Sequence, residues 1–183
     1  MSLSITIPDV DAWDTKREVF VQLKGATIVL EHSLISLHLW ESRWHKPYIS
    51  DIPKTDEEAI DYIRCMTITK NVDKDLYYYI PKEEMTRIYE YINDPMTATT
   101  FSNNNPNRNA RKKEVVTAEL LYFAMISYGI PIEFRKWHLN QLITLIRVCE
   151  IKNGDPKKMS KADVMARNKS LNAQRRARLH SKG

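Results

Sequence analysis

Residues 26–45 read ATIVLEHSLISLHLWESRWH, and the change of period inside this stretch decides the fold. Residues 26–30, ATIVL, are a compact β-branched run of the kind that fits a pleated, half-buried surface. From there the apolar residues change spacing. Leu34, Leu37, Trp40 and Trp44 recur at intervals of three and four, which places them on one face of a helix from Ser33 to His45, with Pro47 ending it. A chain that passes from strand to helix here, with helical patterns following, predicts an α+β fold that is mainly α-helical.

Upstream, SITI and VFVQL are further strand candidates. Lys24-Gly25 reads as a tight turn joining VFVQL to ATIVL, and Asp9 and Asp11 read as a loop after Pro8. The expectation for residues 1–31 is a short N-terminal β-hairpin or small antiparallel sheet.

Downstream, residues 32–155 read as a helical domain. Thr55-Asp-Glu-Glu58 is a capping box opening a helix with Ile60, Ile63 and Met66 inward. Pro81 starts another, with acids in its first turn, where the helix dipole favours them, and Met85, Ile88 and Ile92 inward. Residues 100–113, TFSNNNPNRNARKK, hold five Asn, one Pro and four basic residues, so a flexible loop is expected over about 101–114. Thr117 caps a helix that stops at Gly129. Pro131 then opens the longest apolar-patterned segment, PIEFRKWHLNQLITLIRVCEIKN, in which Leu139, Leu142, Ile143, Ile146 and Cys149 trace one face and Leu145 and Val148 widen it. Such a wide stripe predicts a central helix packed on more than one side.

Charge separates the chain into two parts. Residues 156–183 contain nine Lys and Arg and one acid, Asp163, giving +8; the whole chain carries +5, which leaves −3 for residues 1–155. The basic balance is therefore a property of a C-terminal extension. Ser160-Lys-Ala-Asp163 is a further capping signal there, but Val164, Leu171 and Leu179 are too sparse to fold alone. A segment of this charge is attracted to phosphate backbones, acidic protein surfaces and anionic membranes alike.

Several functions are excluded or disfavoured by residue type. The four glycines form neither GxxxxGK nor GxGxxG, so no loop is built to cradle phosphates. Cys65 and Cys149 read as reduced thiols rather than a disulfide. The N-terminus has neither the charge nor the apolar core of a signal peptide, and no run reaches 18 apolar residues. The expectation is a soluble intracellular protein. His32, His38, His45 and His138 are the obvious catalytic or metal candidates, but no HxxxH with Glu and no CxxC is present, and His38 and His45 would lie roughly 10 Å apart along a helix. Ser33 and Ser36 lack a nucleophile elbow. The pairs Glu57-Glu58 and Glu83-Glu84 sit where capping explains them. No enzyme activity, cofactor or metal is expected; His138 beside Trp137 is the thin alternative. Tyr77-Tyr78-Tyr79 lacks the interleaved cations of a base-stacking platform and reads as the packing of a helix end.

The residues left to meet a partner are basic or aromatic. Arg108, Arg111, Lys112 and Lys113 lie in the Asn-rich loop, and Arg167, Lys169, Arg175, Arg176 and Arg178 lie in the extension. Trp40, Trp44 and Trp137 are candidate anchors, weighed against the plainer reading that Trp at helical spacing belongs to the core.

The segments LEHSLISLHLWESRWHKPYI, DYIRCMTI, MTATTFS and KWHLNQLITLIRVCEIKN, followed by PKKMSKADVMARNKSLNAQRRARLHSKG, resemble a family of small tailed-bacteriophage proteins of the late structural and tail-assembly region. The resemblance spans roughly residues 26–183 and brings no catalytic residues. It implies a non-catalytic morphogenesis protein, either a minor virion or tail component or a tail-assembly chaperone, working in the host-cell cytoplasm or the virion. Its partners would be phage structural or tail proteins. Self-association is a further arrangement, with the basic extension of one copy meeting the acidic body of the next. The alternative, ranked below protein docking, is a nucleic-acid-binding protein using the same Arg and Lys residues on phosphates; their spacing makes no clean helical stripe, which weakens a sequence-reading role and favours an acidic partner or a phosphate backbone.

Overall fold

The computed structural model describes residues 2–14, 18–101 and 115–153, with Met165 and Lys169 beyond them. Met1–Val148 and Cys149–Gly183 form two compact units. The first carries nearly all the described structure, an α+β arrangement of four strands and the α-helices that follow.

The strands are β1 (Leu3–Ile7), β2 (Val10–Asp14), β3 (Val19–Leu23) and β4 (Ala26–Leu30). They pair as β1 with β4 and β2 with β3, both antiparallel. Leu3 faces Leu30 and Ile7 faces Ala26; Val10 faces Leu23 and Asp14 faces Val19. The two ladders thus share one register, as a single two-stranded ribbon interrupted where Pro8-Asp9 lies opposite Lys24-Gly25. Two sequence expectations are corrected. Residues 10–14, including Asp11, form a strand rather than a loop, and Lys24-Gly25 is a bend within the ribbon rather than the turn joining β3 to β4. The reason is packing. Pairing β1 with β4 sets Ile5 opposite Ile28 and buries both with Ile7 and Leu30 on one face. Gly25 is required at the bend, because a Cβ there would stand 2.4 Å from the Ile7 carbonyl oxygen. The Gly25 N–H instead donates to Asp9 Oδ1 at 2.6 Å.

Five α-helices are described: α1 (Leu34–Trp44), α2 (Asp56–Met66), α3 (Lys82–Asn93), α4 (Ala118–Ser127) and α5 (Leu139–Asn153). Their starts follow local caps. Ser33 and Thr55 each close a capping box, with Ser36 and Glu58 returning the bond, and Thr117 accepts from the Leu120 N–H. Gly129, at φ 65°, follows α4 in the left-handed conformation that glycine permits. After α2 the chain returns along β4: the Ile68 N–H donates to Val29 O, and the Val29 N–H donates to Thr69 Oγ1, both at 2.9 Å.

The segment from Pro131 to Asn153 is not one helix. Ile132–Lys136 is a 3-10 turn, Trp137 is extended, and α5 restarts at Leu139. The Leu139 N–H donates to His32 O at 2.9 Å, an attachment to the β4–α1 junction in place of a helical bond. The wide apolar stripe is covered less than expected. Leu139 and Leu142 are buried, whereas Ile143, Leu145, Ile146 and Val148 are half-buried.

Two apolar clusters hold this unit. One joins the inward faces of the ribbon to Trp40, Tyr62, Met66, Leu76, Tyr77 and Ile88. The other joins Leu34 and Leu37 of α1 to Leu121 and Met125 of α4 and to Leu139 and Leu142. Helix α1 serves both, one through Trp40 and the other through its first turn.

Candidate partner-binding residues and the buried histidine pair

Trp40 is in the core, 1% exposed, and its Nε1–H donates to the Glu58 carbonyl at 2.8 Å. A buried indole whose one donor is engaged cannot anchor a partner, so Trp40 is withdrawn from that role. Trp44 is half-buried and donates through Nε1 to Asp61 Oδ2 at 2.8 Å, while Arg43 pairs with Asp61 Oδ1. Both tryptophans therefore fasten α1 to α2. Trp137 stacks on Phe134 with centroids 4.0 Å apart. Arg108, Arg111, Lys112, Lys113, Arg167, Arg175, Arg176 and Arg178 lie outside the described residues. Lys169 is helical and exposed.

The exposed large apolar side chains fall elsewhere. Phe20, 74% exposed, lies edge-on against its cross-strand neighbour Trp13 at 4.9 Å. On α4, Leu120, Phe123 and Ile126 recur every third residue and are exposed, Ile126 at 77%. The sequence of α4, AELLYFAMIS, is apolar around most of its circumference, the pattern of a helix covered on more than one side. This signal was present in the sequence and sequence reasoning assigned it no role.

Three acids are buried: Glu41, Asp61 and, from the Glu57-Glu58 pair, Glu58. Glu41 accepts the Tyr48 N–H at 2.9 Å and the Ala118 N–H at 2.7 Å, tying the chain after α1 to the first turn of α4. Burial pushes its carboxyl up, opposed by these two N–H groups. Glu58 accepts from Lys46 Nζ at 2.6 Å and from the Thr55 N–H at 2.8 Å, and the ammonium leads in holding it below the usual carboxylate range. Asp61 is the third. Each is engaged in holding elements together, which leaves none poised for acid–base chemistry.

His32 and His138 come together, with ring centroids 4.9 Å apart and both residues buried. His32 Nδ1 bonds the Tyr62 hydroxyl at 2.8 Å, and the His32 N–H donates to the Tyr91 hydroxyl at 3.2 Å. His138 Nε2 lies 2.9 Å from the Tyr91 carbonyl. A carbonyl only accepts, so Nε2 carries the proton and Nδ1 is the bare nitrogen; Nδ1 is buried with no partner. Burial and the neighbouring imidazole lower His32 to about 3, and burial lowers His138 as well. The cluster is an uncharged hydrogen-bonding centre at neutral pH. His38 and His45 are exposed, and among the described residues no three His, Cys, Asp or Glu side chains are placed to hold a metal ion.

The three tyrosines form a 3-10 turn, Asp75–Tyr79, with Tyr77 buried and its hydroxyl donating to Thr67 Oγ1 at 2.9 Å. They close the end of α2 as expected. Arg64, which sequence reasoning did not link to them, lies over the Tyr77 and Tyr78 rings. Cys65 and Cys149 are free thiols. Among the described residues no helix is long and apolar enough to cross a membrane.

No protein-family model, curated protein or solved structure matches this chain. Its function is therefore read from its own residues.

Proposed function

We propose that this protein is a non-catalytic bacteriophage morphogenesis factor, a minor tail or virion component or a tail-assembly chaperone, which docks partner proteins through its basic extension. The phage setting rests on the resemblance over residues 26–183, and the docking role on the charge split: nine basic residues and one acid over residues 156–183, against a net −3 in the rest. The exposed apolar groups on α4 and at Trp13–Phe20 support it, since contiguous exposed apolar surface is a common mark of association. The buried acids Glu41, Glu58 and Asp61 support it too, because each has a place in holding elements together. The protein would act in the host-cell cytoplasm and either remain in the virion or leave before completion.

The test compares the full chain with a version ending at Asp155. Docking on phage protein predicts co-purification with tail proteins from infected cells at 0.3 M salt, lost in the shortened version. Binding to a duplex DNA of arbitrary sequence that falls by about 10³-fold or more between 50 and 200 mM salt, with no phage protein retained, would replace this reading with phosphate-backbone binding.

A further inference from the structure

We propose that the cleft between residues 48–51, the end of α3 and the start of α5 binds a small uncharged ligand, an apolar body with one polar group hydrogen-bonded to the His32 imidazole.

The open cleft offers about 290 Å³, just under the roughly 300–1,000 Å³ of ligand pockets. Its walls are apolar, from Ile49, Ile92, Leu139 and Ile143, and His32 contributes to its lining. Asn140 supplies a fixed polar group. Its Nδ2 donates to the Ile92 and Asp94 carbonyls, both at 2.8 Å, so the amide is locked and neither bond uses Oδ1. None of the hydrogen bonds described above uses His32 Nε2, and His138 Nδ1, on the adjoining ring, is buried without a partner. The lining thus sets the unused His32 Nε2 beside aliphatic surface, and a native interior rarely leaves such capacity unfilled.

Charge selects the ligand class. Among the described residues no Lys or Arg lines the cleft and Asp51 is the one acid that does, so a phosphate or carboxylate is disfavoured. Asp51 is itself engaged in an interaction of its own, and His32 is uncharged at neutral pH. A cation would therefore exchange its hydration for isoleucine and leucine side chains. An uncharged amide or hydroxyl compound satisfies the polar wall without that loss.

The experiment titrates the full chain, labelled at its isoleucine methyls and histidine rings, with benzamide, N-benzylacetamide, benzoate and benzylamine. Expected are saturable NMR shifts of the Ile49, Ile92 and Ile143 methyls and the His32 ring with at least one amide, with benzoate and benzylamine binding at least tenfold more weakly. Ile143→Phe and Ser50→Phe, which narrow the cleft from two sides, should each abolish the shifts; either one that keeps the wild-type melting temperature is sufficient. No saturable shift with either amide, equal binding of a charged analogue, or shifts surviving in a folded variant would overturn the proposal.

Discussion

The His32 and His138 rings meet edge to face with centroids 4.9 Å apart, although one precedes α1 and the other precedes α5. Each is also bonded to the Tyr91 residue of α3, His32 through its backbone N–H and His138 through its ring. The pair therefore joins the β4–α1 junction, α3 and the start of α5 at one buried point, and the stability of that point depends on both rings staying uncharged.

Acidification should loosen it. His32 lies near 3 when folded and near 6.5 when unfolded, so between those values the unfolded chain binds more protons and stability falls as pH falls. The contribution is fully present above about pH 6.5 and is lost progressively towards pH 3. From pH 6.5 to 5 the loss of the His32 contribution should be on the order of 1–2 kcal/mol. Urea denaturation at the two pH values checks it, and His32→Gln should flatten the difference while lowering stability at both.

Trp40 and Trp44 should differ sharply when truncated. Trp40→Ala opens a cavity in the core and strands the Glu58 carbonyl, for a loss of about 3–5 kcal/mol. Trp44→Phe keeps a ring and loses the Asp61 bond, for about 0.5–1.5 kcal/mol. Equilibrium denaturation measures both. A Trp40→Ala protein of wild-type stability would contradict the α1–α2 packing described here.

Glu41 holds two backbone N–H groups, those of Tyr48 and Ala118, which lie far apart in the chain. Glu41→Ala should cost about 2–4 kcal/mol, since both donors lose a charged acceptor. Glu41→Gln, which retains one acceptor oxygen, should cost about half of that. The comparison of the two midpoints separates the acceptor role from side-chain volume.

Gly25→Ala should be far more damaging than an ordinary surface change. The new methyl would meet the Ile7 carbonyl at 2.4 Å and the Pro8 carbonyl carbon at 2.5 Å, both backbone atoms that cannot swing aside. A loss of about 2–3 kcal/mol is expected, at the upper end for overpacking. By contrast Phe123→Ser with Ile126→Ser, both on exposed α4 positions, should leave stability within about 0.5 kcal/mol.

Where the controlling interactions are local, the sequence was legible. Ser33, Thr55 and Thr117 announce helix starts through bonds spanning three residues, and Gly129 marks a stop through its own φ. The α+β class follows from the change of period at residues 26–45. The strand pairing was misread because Lys24-Gly25 satisfies a local turn rule, whereas the register is set by burying Ile5 against Ile28 across the whole ribbon. The break at Trp137-His138 depends on a bond to His32 O, which no local pattern encodes. The same holds for the histidine pair and for Glu41, whose partners lie on separate elements. Trp40 left the candidate list for a related reason: helical spacing identifies a buried face, and its indole donor is satisfied within it.

The central claim is that the protein builds phage particles and that its basic extension is required to do so. The most direct measurement is electron-microscopic counting of particles from cells infected with phage whose copy of this protein ends at Asp155. The account predicts tailless or incomplete particles and restoration by the full chain supplied in trans. Complete particles at wild-type yield, from cells in which the shortened protein accumulates normally, would contradict it.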